Sequence, residues 1–221
     1  MLKAHKPPID FKMQVALAAL DYINEPLIIG VGSGRTVNCF IEALTRRKHL
    51  IEACVASSLE TERRLKAHGF MVVDLPTVDY LEWYFDGADQ VNPLHQMLKG
   101  GGGAMTREKI IANAAKKFVC MIEPVKWVKH LGGFPIAVEV IPIARSMVGR
   151  ALVDLGCDPV YRQGCITDNG NIILDAYCHI ESDSHLEREI NQITGVVENG
   201  LFLTRTADIV LCAGDQGVTI V

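Results

Sequence analysis

Leu27-Ile28-Ile29-Gly30-Val31-Gly32-Ser33-Gly34-Arg35-Thr36 sets a short apolar run directly against a glycine turn, after which residues 37–44 resume helical spacing. An apolar run of this length bounded by glycine reads as a buried strand, so the unit is strand, tight turn, helix. That unit is the building block of a parallel α/β sheet. Upstream, residues 11–23 have the spacing of a helix. Downstream, residues 51–56 predict a second strand, and Ser57 with Glu60 three positions on predicts an N-capped helix that ends at His68 before Gly69. Further strands are expected at 70–75, 83–85 and 117–122, the last after a helix opened by Thr106. Each strand's carboxyl end meets a polar or glycine-rich loop, which is where open α/β sheets bind ligands.

The pattern changes from Phe134. Residues 136–141 predict a strand, Pro142 opens a helix that closes at Gly156, and 160–166 with 171–177 flank the hairpin signal Asp168-Asn169-Gly170. Ser184 with Glu187 predicts a capping box for a helix to about Thr194, and 196–204 predicts another extended pair around Asn199-Gly200. The order β-α-β-β-α-β is the split ferredoxin-like arrangement. Residues 207–213 form one more apolar strand, suited to return to the main sheet. The expected fold is therefore α/β: an open, mostly parallel sheet flanked by helices over residues 1–133 and 206–221, plus a smaller ferredoxin-like α+β domain over 134–205. No internal repeat or low-complexity segment interrupts it.

With 221 residues, 49% of them hydrophobic, the chain can bury a substantial core. The formal charge of -4 and the scattered Lys and Arg argue against nucleic acid or an anionic membrane as a partner. No stretch approaches the roughly 18 apolar residues of a membrane span, and residues 1–8 lack the apolar region of a signal peptide, so a cytoplasmic protein is expected. The seven cysteines contain no C-x-x-C pair and read as buried free thiols, and the seven histidines show no zinc-binding spacing, so no metal is expected.

An anionic ligand must then be met locally. Asp86-Gly87-Ala88-Asp89 and Lys99-Gly100-Gly101-Gly102-Gly103-Ala104-Met105-Thr106-Arg107-Glu108-Lys109 place three carboxylates and an ammonium beside a bendable backbone, the make-up of a phosphosugar site. Thr106 reads as the N-cap of a helix whose first turn holds Glu108. A surface loop with a capped helix behind it uses the same residue types, but four consecutive glycines cost too much chain entropy to serve a turn alone. The first glycine turn fits neither G-x-G-x-x-G nor a Walker loop, and the second strand ends in Ala56-Ser57-Ser58 without a ribose-binding acid, which disfavours a nicotinamide cofactor. What remains is either a backbone nest with the Ser33 and Thr36 hydroxyls turned to a phosphate, or a plain strand-to-helix turn. Asp86 and Asp89 either face one pocket or cap a turn, and Arg107 and Lys109 either keep Glu108 ionised or sit on a solvated face.

Gly-Val-Gly-Ser-Gly-Arg-Thr at 30–36, Asp-Gly-Ala-Asp at 86–89, Lys-Gly-Gly-Gly at 99–102 and Thr-Arg-Glu-Lys-Ile-Ile-Ala at 106–112 resemble, in order and spacing, the type A ribose-5-phosphate isomerases. The likeness continues through Val138-Glu139-Val140-Ile141-Pro142, Tyr161-Arg162-Gln163-Gly164 and Thr167-Asp168-Asn169-Gly170-Asn171, so it spans nearly the whole chain. It implies interconversion of D-ribose 5-phosphate and D-ribulose 5-phosphate in the pentose phosphate route, with no metal or organic cofactor and a dimeric or tetrameric homo-oligomer. By that likeness Glu108 is the base, Asp86 assists ring opening and proton movement, Lys99 stabilises the oxyanion and Asp89 holds hydroxyls. Ser33, Gly34, Arg35 and Thr36 match the first substrate loop, Gly87 and Ala88 between the two aspartates are expected to bind substrate with them, Gly100, Gly101 and Gly102 match the second loop, Lys126 matches a substrate-contacting lysine, and Lys12, a looser match, adds charge for the phosphate. Three positions depart from the family pattern: Arg35 stands in place of a small hydroxyl residue, Gln90 in place of Glu, and Gly103 in place of Ala.

Two other classes fit the same composition. A non-catalytic sugar-phosphate sensor is expected to carry a helix-turn-helix ahead of the fold, and about ten residues precede the first helix here. An aminosugar phosphate deaminase or another aldose phosphate isomerase is allowed by fold likeness, but no histidine falls in either cluster to serve an amine leaving group.

Overall fold

The computed structural model describes residues 10–180 and 185–221. The chain begins with α1 (Phe11–Ala19), capped by the Asp10 carboxylate and running into a 3-10 turn at Leu20–Tyr22. Then come β1 (Leu27–Val31), α2 (Arg35–Leu44), β2 (Ile51–Ala56), α3 (Leu59–Ala67), β3 (Leu81–Asp86), the short β4 (Gln90–Val91) and β5 (Met97–Leu98), α4 (Met105–Ala114) and β6 (Ala115–Ile122). The remainder is β7 (Ile136–Val140), α5 (Arg145–Asp154), β8 (Asp158–Tyr161), β9 (Ile172–Tyr177), α6 (Leu186–Asn191), β10 (Val196–Asn199), β11 (Leu201–Phe202), β12 (Ile209–Gly214) and β13 (Gly217–Ile220).

The main sheet has the order β13-β12-β6-β3-β1-β2, with parallel pairing throughout except at the antiparallel edge strand β13. Strand periodicity divides its core in two. Phe85 points to the side of α1 and α2 and stacks on Phe40 at 4.8 Å, while Tyr84 points to the side of α4 and meets Phe118 at 4.9 Å. From β1 the chain moves one way to β2 and then back past β1 to β3. The carboxyl ends of β1 and β3 thus flank the point where strand order reverses, the crevice in which such sheets bind ligands.

A second, antiparallel sheet has the order β10-β7-β9-β8 and shares a core with Val148 and Leu152 of α5 and Leu186 and Ile190 of α6. A third, three-stranded sheet, β11-β5-β4, takes β11 from the segment after β10 and β4 and β5 from the segment after β3. Among the described residues no helix is long and apolar enough to cross a membrane.

Several expectations are corrected. Ser57 does not cap α3; its N–H continues the β1–β2 ladder onto the Val31 carbonyl at 3.0 Å, and Ser58, one step later, accepts from the Thr61 N–H. Residues 70–75 form no strand: Val72 makes a single bridge to Cys54, and the segment turns into a 3-10 helix at Leu75–Thr77. Thr106 lies inside α4, whose cap position is Ala104, because its hydroxyl is drawn to the buried Glu139 carboxylate. The strand expected at 160–166 stops at Tyr161, although the Asp168-Asn169-Gly170 turn does form, closed by the Gly170 N–H on the Thr167 carbonyl. Residues 196–204 do not pair with themselves, since β10 joins β7 and β11 joins β5. α6 ends at Asn191, short of Thr194, and Ser184 of the expected capping box lies outside the described residues. The cysteines are not all free: Cys157 and Cys178 extend the β8–β9 pairing by one step beyond Asp158 and Tyr177, and they form a disulfide. β13 was not anticipated.

Candidate active site

The carboxyl ends of β1, β3 and β6 open into a cavity of about 530 Å³, lined by residues 33–36, 87–89 and 99–102 together with Lys12, Glu108, Met121, Glu123, Lys126 and Phe134. Its floor is a buried ionic cluster. Lys99 follows β5 and is fixed by its own N–H on the Gly200 carbonyl at 2.8 Å. Its ammonium lies 2.8 Å from Asp86 Oδ2 and 3.1 Å from Glu108 Oε2, and it also donates to the Gly87 carbonyl. Glu108 stands in the first turn of α4, where Ser33 Oγ donates to its Oε1 at 2.5 Å.

Burial and then the neighbouring Asp86 charge push Glu108 up to about 7, against the opposing pull of Lys99 and Ser33. A carboxylate tuned near neutrality is suited to take and return a proton. Burial alone would lower Lys99, but the Asp86 and Glu108 carboxylates outweigh it and hold the ammonium above its ordinary range. The same burial pushes the nearby Cys120 thiol up to about 12, leaving it protonated and inert.

The rim carries the remaining charges. Asp89 Oδ2 accepts from the Gly101 N–H at 2.9 Å, and Lys126 approaches its other oxygen at 3.8 Å. Lys12 pairs with Glu123 at 2.8 Å. Arg35 opens α2 at the cavity edge and, among the described residues, is the one cation of the wall without an ion-pair partner.

The structure thus brings together the residues singled out in the sequence, with differences of placement. Asp86 does not line the cavity; it lies fully buried behind the wall, accepting from four donors: Ser33 N–H, Gly87 N–H, the Tyr84 hydroxyl and Lys99. Ser33 is engaged with Glu108 rather than turned outward. Gln90 faces away and clasps the Gly132 backbone with both ends of its amide, 2.6 and 2.8 Å, a pairing that needs a donor and an acceptor. Gly103 adopts φ 77°, and a Cβ there would also meet Ile173 Cδ1 at 3.1 Å. Arg107 bonds to the 168–169 turn, and Lys109 is buried between Glu187 and Glu198, so neither touches Glu108. Tyr84, Glu123 and Phe134 join the site without having been singled out in the sequence. For Tyr84 a signal existed, because it stands two residues before Asp86 on a strand and therefore on the same face. Among the described residues no group of three or more His, Cys, Asp or Glu is arranged to hold a metal ion.

The chain is similar to known proteins over most of its length. A sequence model of the family described as ribose 5-phosphate isomerase A (phosphoriboisomerase A) matches residues 53–217. The chain is 55% identical over 210 residues to ribose-5-phosphate isomerase A of Legionella pneumophila strain Lens, covering 95% of this chain and 97% of that protein. Among solved structures it resembles ribose 5 phosphate isomerase A of Neisseria gonorrhoeae, with TM-score 0.92 and 41% identity over 96% of this chain and 95% of the other. It also resembles a D-ribose-5-phosphate isomerase in complex with phospho-erythronic acid, with TM-score 0.90 and 34% identity over 96% and 97% of the two chains.

Proposed function

The chain belongs to the ribose 5-phosphate isomerase A family, and on that premise we propose that the cavity around Glu108 interconverts D-ribose 5-phosphate and D-ribulose 5-phosphate through an enediolate. The observation that carries the residue roles is Glu108 itself, buried at the cavity floor between Lys99 and Ser33 and pushed up to about 7. Glu108 takes the C2 proton of the open-chain aldose and the C–H electrons form the C1–C2 double bond of the enediolate. The charge that develops on oxygen is met by the Lys99 ammonium and by the backbone N–H groups of Gly100 and Gly102, that of Gly101 being held by Asp89. Return of the proton to C1, with transfer of a hydroxyl proton between the two oxygens, completes the exchange of aldose for ketose. Asp89 holds sugar hydroxyls. Asp86, with its four donors, acts as a fixed anion that keeps Lys99 charged and in place. This chemistry calls on no metal or organic cofactor.

The phosphate is assigned to the amino end of α2, where Gly34, Arg35 and Thr36 line the cavity, with Lys12 and Lys126 on the wall as further positive charge. The phospho-erythronic acid held by a solved relative supports a ligand of this size and charge. Arg35→Ser is expected to raise KM for ribose 5-phosphate by about tenfold with kcat within about threefold, because a charge-assisted contact made equally in ground and transition states is lost. An unchanged KM would place Arg35 in solvent. The whole assignment is tested by offering the purified protein ribose 5-phosphate, glucosamine 6-phosphate and allose 6-phosphate. Turnover of the first alone, read as ribulose 5-phosphate, is expected, and binding of it without turnover would make the protein a sensor.

We read residues 1–133 with 206–221 as the catalytic domain and 134–205 as the smaller ferredoxin-like one, a division supported by the second sheet's order β10-β7-β9-β8. A place in the pentose phosphate route follows from the substrate pair. A cytoplasmic setting is supported by the five free thiols, against which Cys157–Cys178 stands as the one oxidised pair. Homo-oligomerisation is supported by Ile141, Ile143 and Met147, apolar side chains left exposed around the start of α5.

A further inference from the structure

We infer that Tyr84 is a positioning residue of the isomerisation, whose hydroxyl, acting through Asp86, holds Lys99 within reach of Glu108; the inference rests on the isomerase reading above. The pair is built into two adjacent strands. Periodicity on β3 puts Tyr84 and Asp86 on one face, and the parallel register sets Gly30 of β1 directly beside Tyr84. A Cβ at Gly30 would lie 2.8 Å from Tyr84 Cδ2, and a Cβ at Gly32 would lie 2.0 Å from the Asp86 carboxyl carbon. The two glycines, also two residues apart, thus leave adjoining slots, one for the ring and one for the carboxylate. Phe118 closes on the ring from β6.

The Tyr84 hydroxyl lies 2.5 Å from Asp86 Oδ2. Burial first, and then the Asp86 and Glu108 charges, hold its ionisation well above the ordinary phenol range, so it remains a donor wherever the enzyme works. Asp86 is then saturated: Ser33 and Gly87 N–H groups on Oδ1, Tyr84 and Lys99 on Oδ2. Without the phenolic hydroxyl, Oδ2 is left short of a donor in a dry site, an arrangement that draws in whatever donor can move. Lys99 is that donor, and its contact to Glu108, at 3.1 Å, is longer than its contact to Asp86, at 2.8 Å. A shift of the ammonium toward Asp86 deprives Glu108 of the cation that opposes its burial. The other groups around Glu108 are Ser33 after β1, Asp86 on β3 and Cys120 on β6, and all remain in a Tyr84→Phe variant.

Tyr84→Phe is therefore expected to lower kcat about tenfold, leave KM within about twofold, and move the acidic limb of the kcat profile upward by about half a pH unit or more. A purely packing role would lower the melting temperature and leave that limb where it was, an outcome that overturns the inference. Acting through Asp86 also requires non-additivity, so Tyr84→Phe on an Asp86→Asn background is expected to cost less than about twofold further, and full multiplication of the two losses overturns it as well. If the variant does not fold, replacing all five tyrosines with 3-fluorotyrosine strengthens the donor at unchanged ring size; the limb is expected to move downward, and an unmoved limb counts against the role. Wild-type turnover of ribose 5-phosphate is the control in every arm, and its absence would remove the isomerase reading itself, separately from any effect of Tyr84.

Discussion

Glu108→Gln is expected to lower kcat for ribulose 5-phosphate formation by about a thousandfold or more while KM stays within a few-fold. The amide keeps the shape and can still accept from Lys99, but it has no basic lone pair to take the C2 proton. A coupled assay of wild type against variant reads this directly, and a variant retaining more than about a tenth of wild-type kcat would remove Glu108 from the base role. The wild-type profile carries the same assignment. Because Glu108 is pushed up to about 7, activity should fall as pH drops through that value and the proposed base takes its proton. Stability should run the other way. The folded chain keeps the Glu108 proton up to about 7, whereas the unfolded chain releases it near 4.5, so between those values the folded state binds more protons and wild-type stability declines as pH rises. The gap corresponds to about 3 kcal/mol, lost progressively across that window. Glu108→Gln has no proton to lose, so its urea midpoint should be flatter between pH 5 and 8; this test separates the base's strain from its chemistry.

Whether a residue's partner is local or distant in the chain decides how much of the molecule is legible in its sequence. β1 and β2 fall on the strands expected at 27–31 and 51–56 because their signals are local: an apolar run, a glycine or serine stop, and a helix pattern behind it. Residues 70–75 carry the same apolar signal but only Val72 bridges to β2, and composition cannot report whether a ladder will form. Ser57 and Thr106 both obey the local cap rule and both lose to a distant partner, the Val31 carbonyl in one case and Glu139 in the other. Glu139 illustrates the limit well. It is a fully buried carboxylate met by Thr106, Thr167, Asn169 and Asn171, and nothing around position 139 announces that these residues converge there. Likewise, 21 residues separate Cys157 from Cys178, and only the β8–β9 register makes them neighbours. In the site, the residue types were legible because charge clustered beside glycine. Their division of labour was not, since whether Asp86 faces substrate or stands behind the wall depends on Gly32 leaving it room and on Tyr84 reaching it.

Lys99→Met should be the most damaging single change to fold and function together. Lys99 is 4% exposed between two carboxylates, Asp86 and Glu108, that are themselves buried. Removing a buried ion-pair partner leaves uncompensated charge in a low-dielectric site, which costs about 3–5 kcal/mol, far more than the net worth of an intact pair. Loss of the donor proposed to meet the developing oxyanion should lower kcat by about a hundredfold to a thousandfold in addition. The two effects are separable by pH. Without the ammonium, burial and Asp86 act on Glu108 against the Ser33 hydrogen bond alone, so it holds its proton to still higher pH in the folded state. The variant should therefore be closest to wild-type stability near pH 5 and lose ground steeply as pH rises past 7, read as a widening gap in urea midpoints. A second change distinguishes charge from lost packing: Lys99→Met with Glu108→Gln removes one of the stranded carboxylates and should recover part of the stability lost by Lys99→Met alone, a coupling that simple cavity formation would not give. Additive losses in that pair would mean that the buried ammonium does not compensate the carboxylates, and a Lys99→Met enzyme within tenfold of wild-type kcat would mean that it does not serve the reaction.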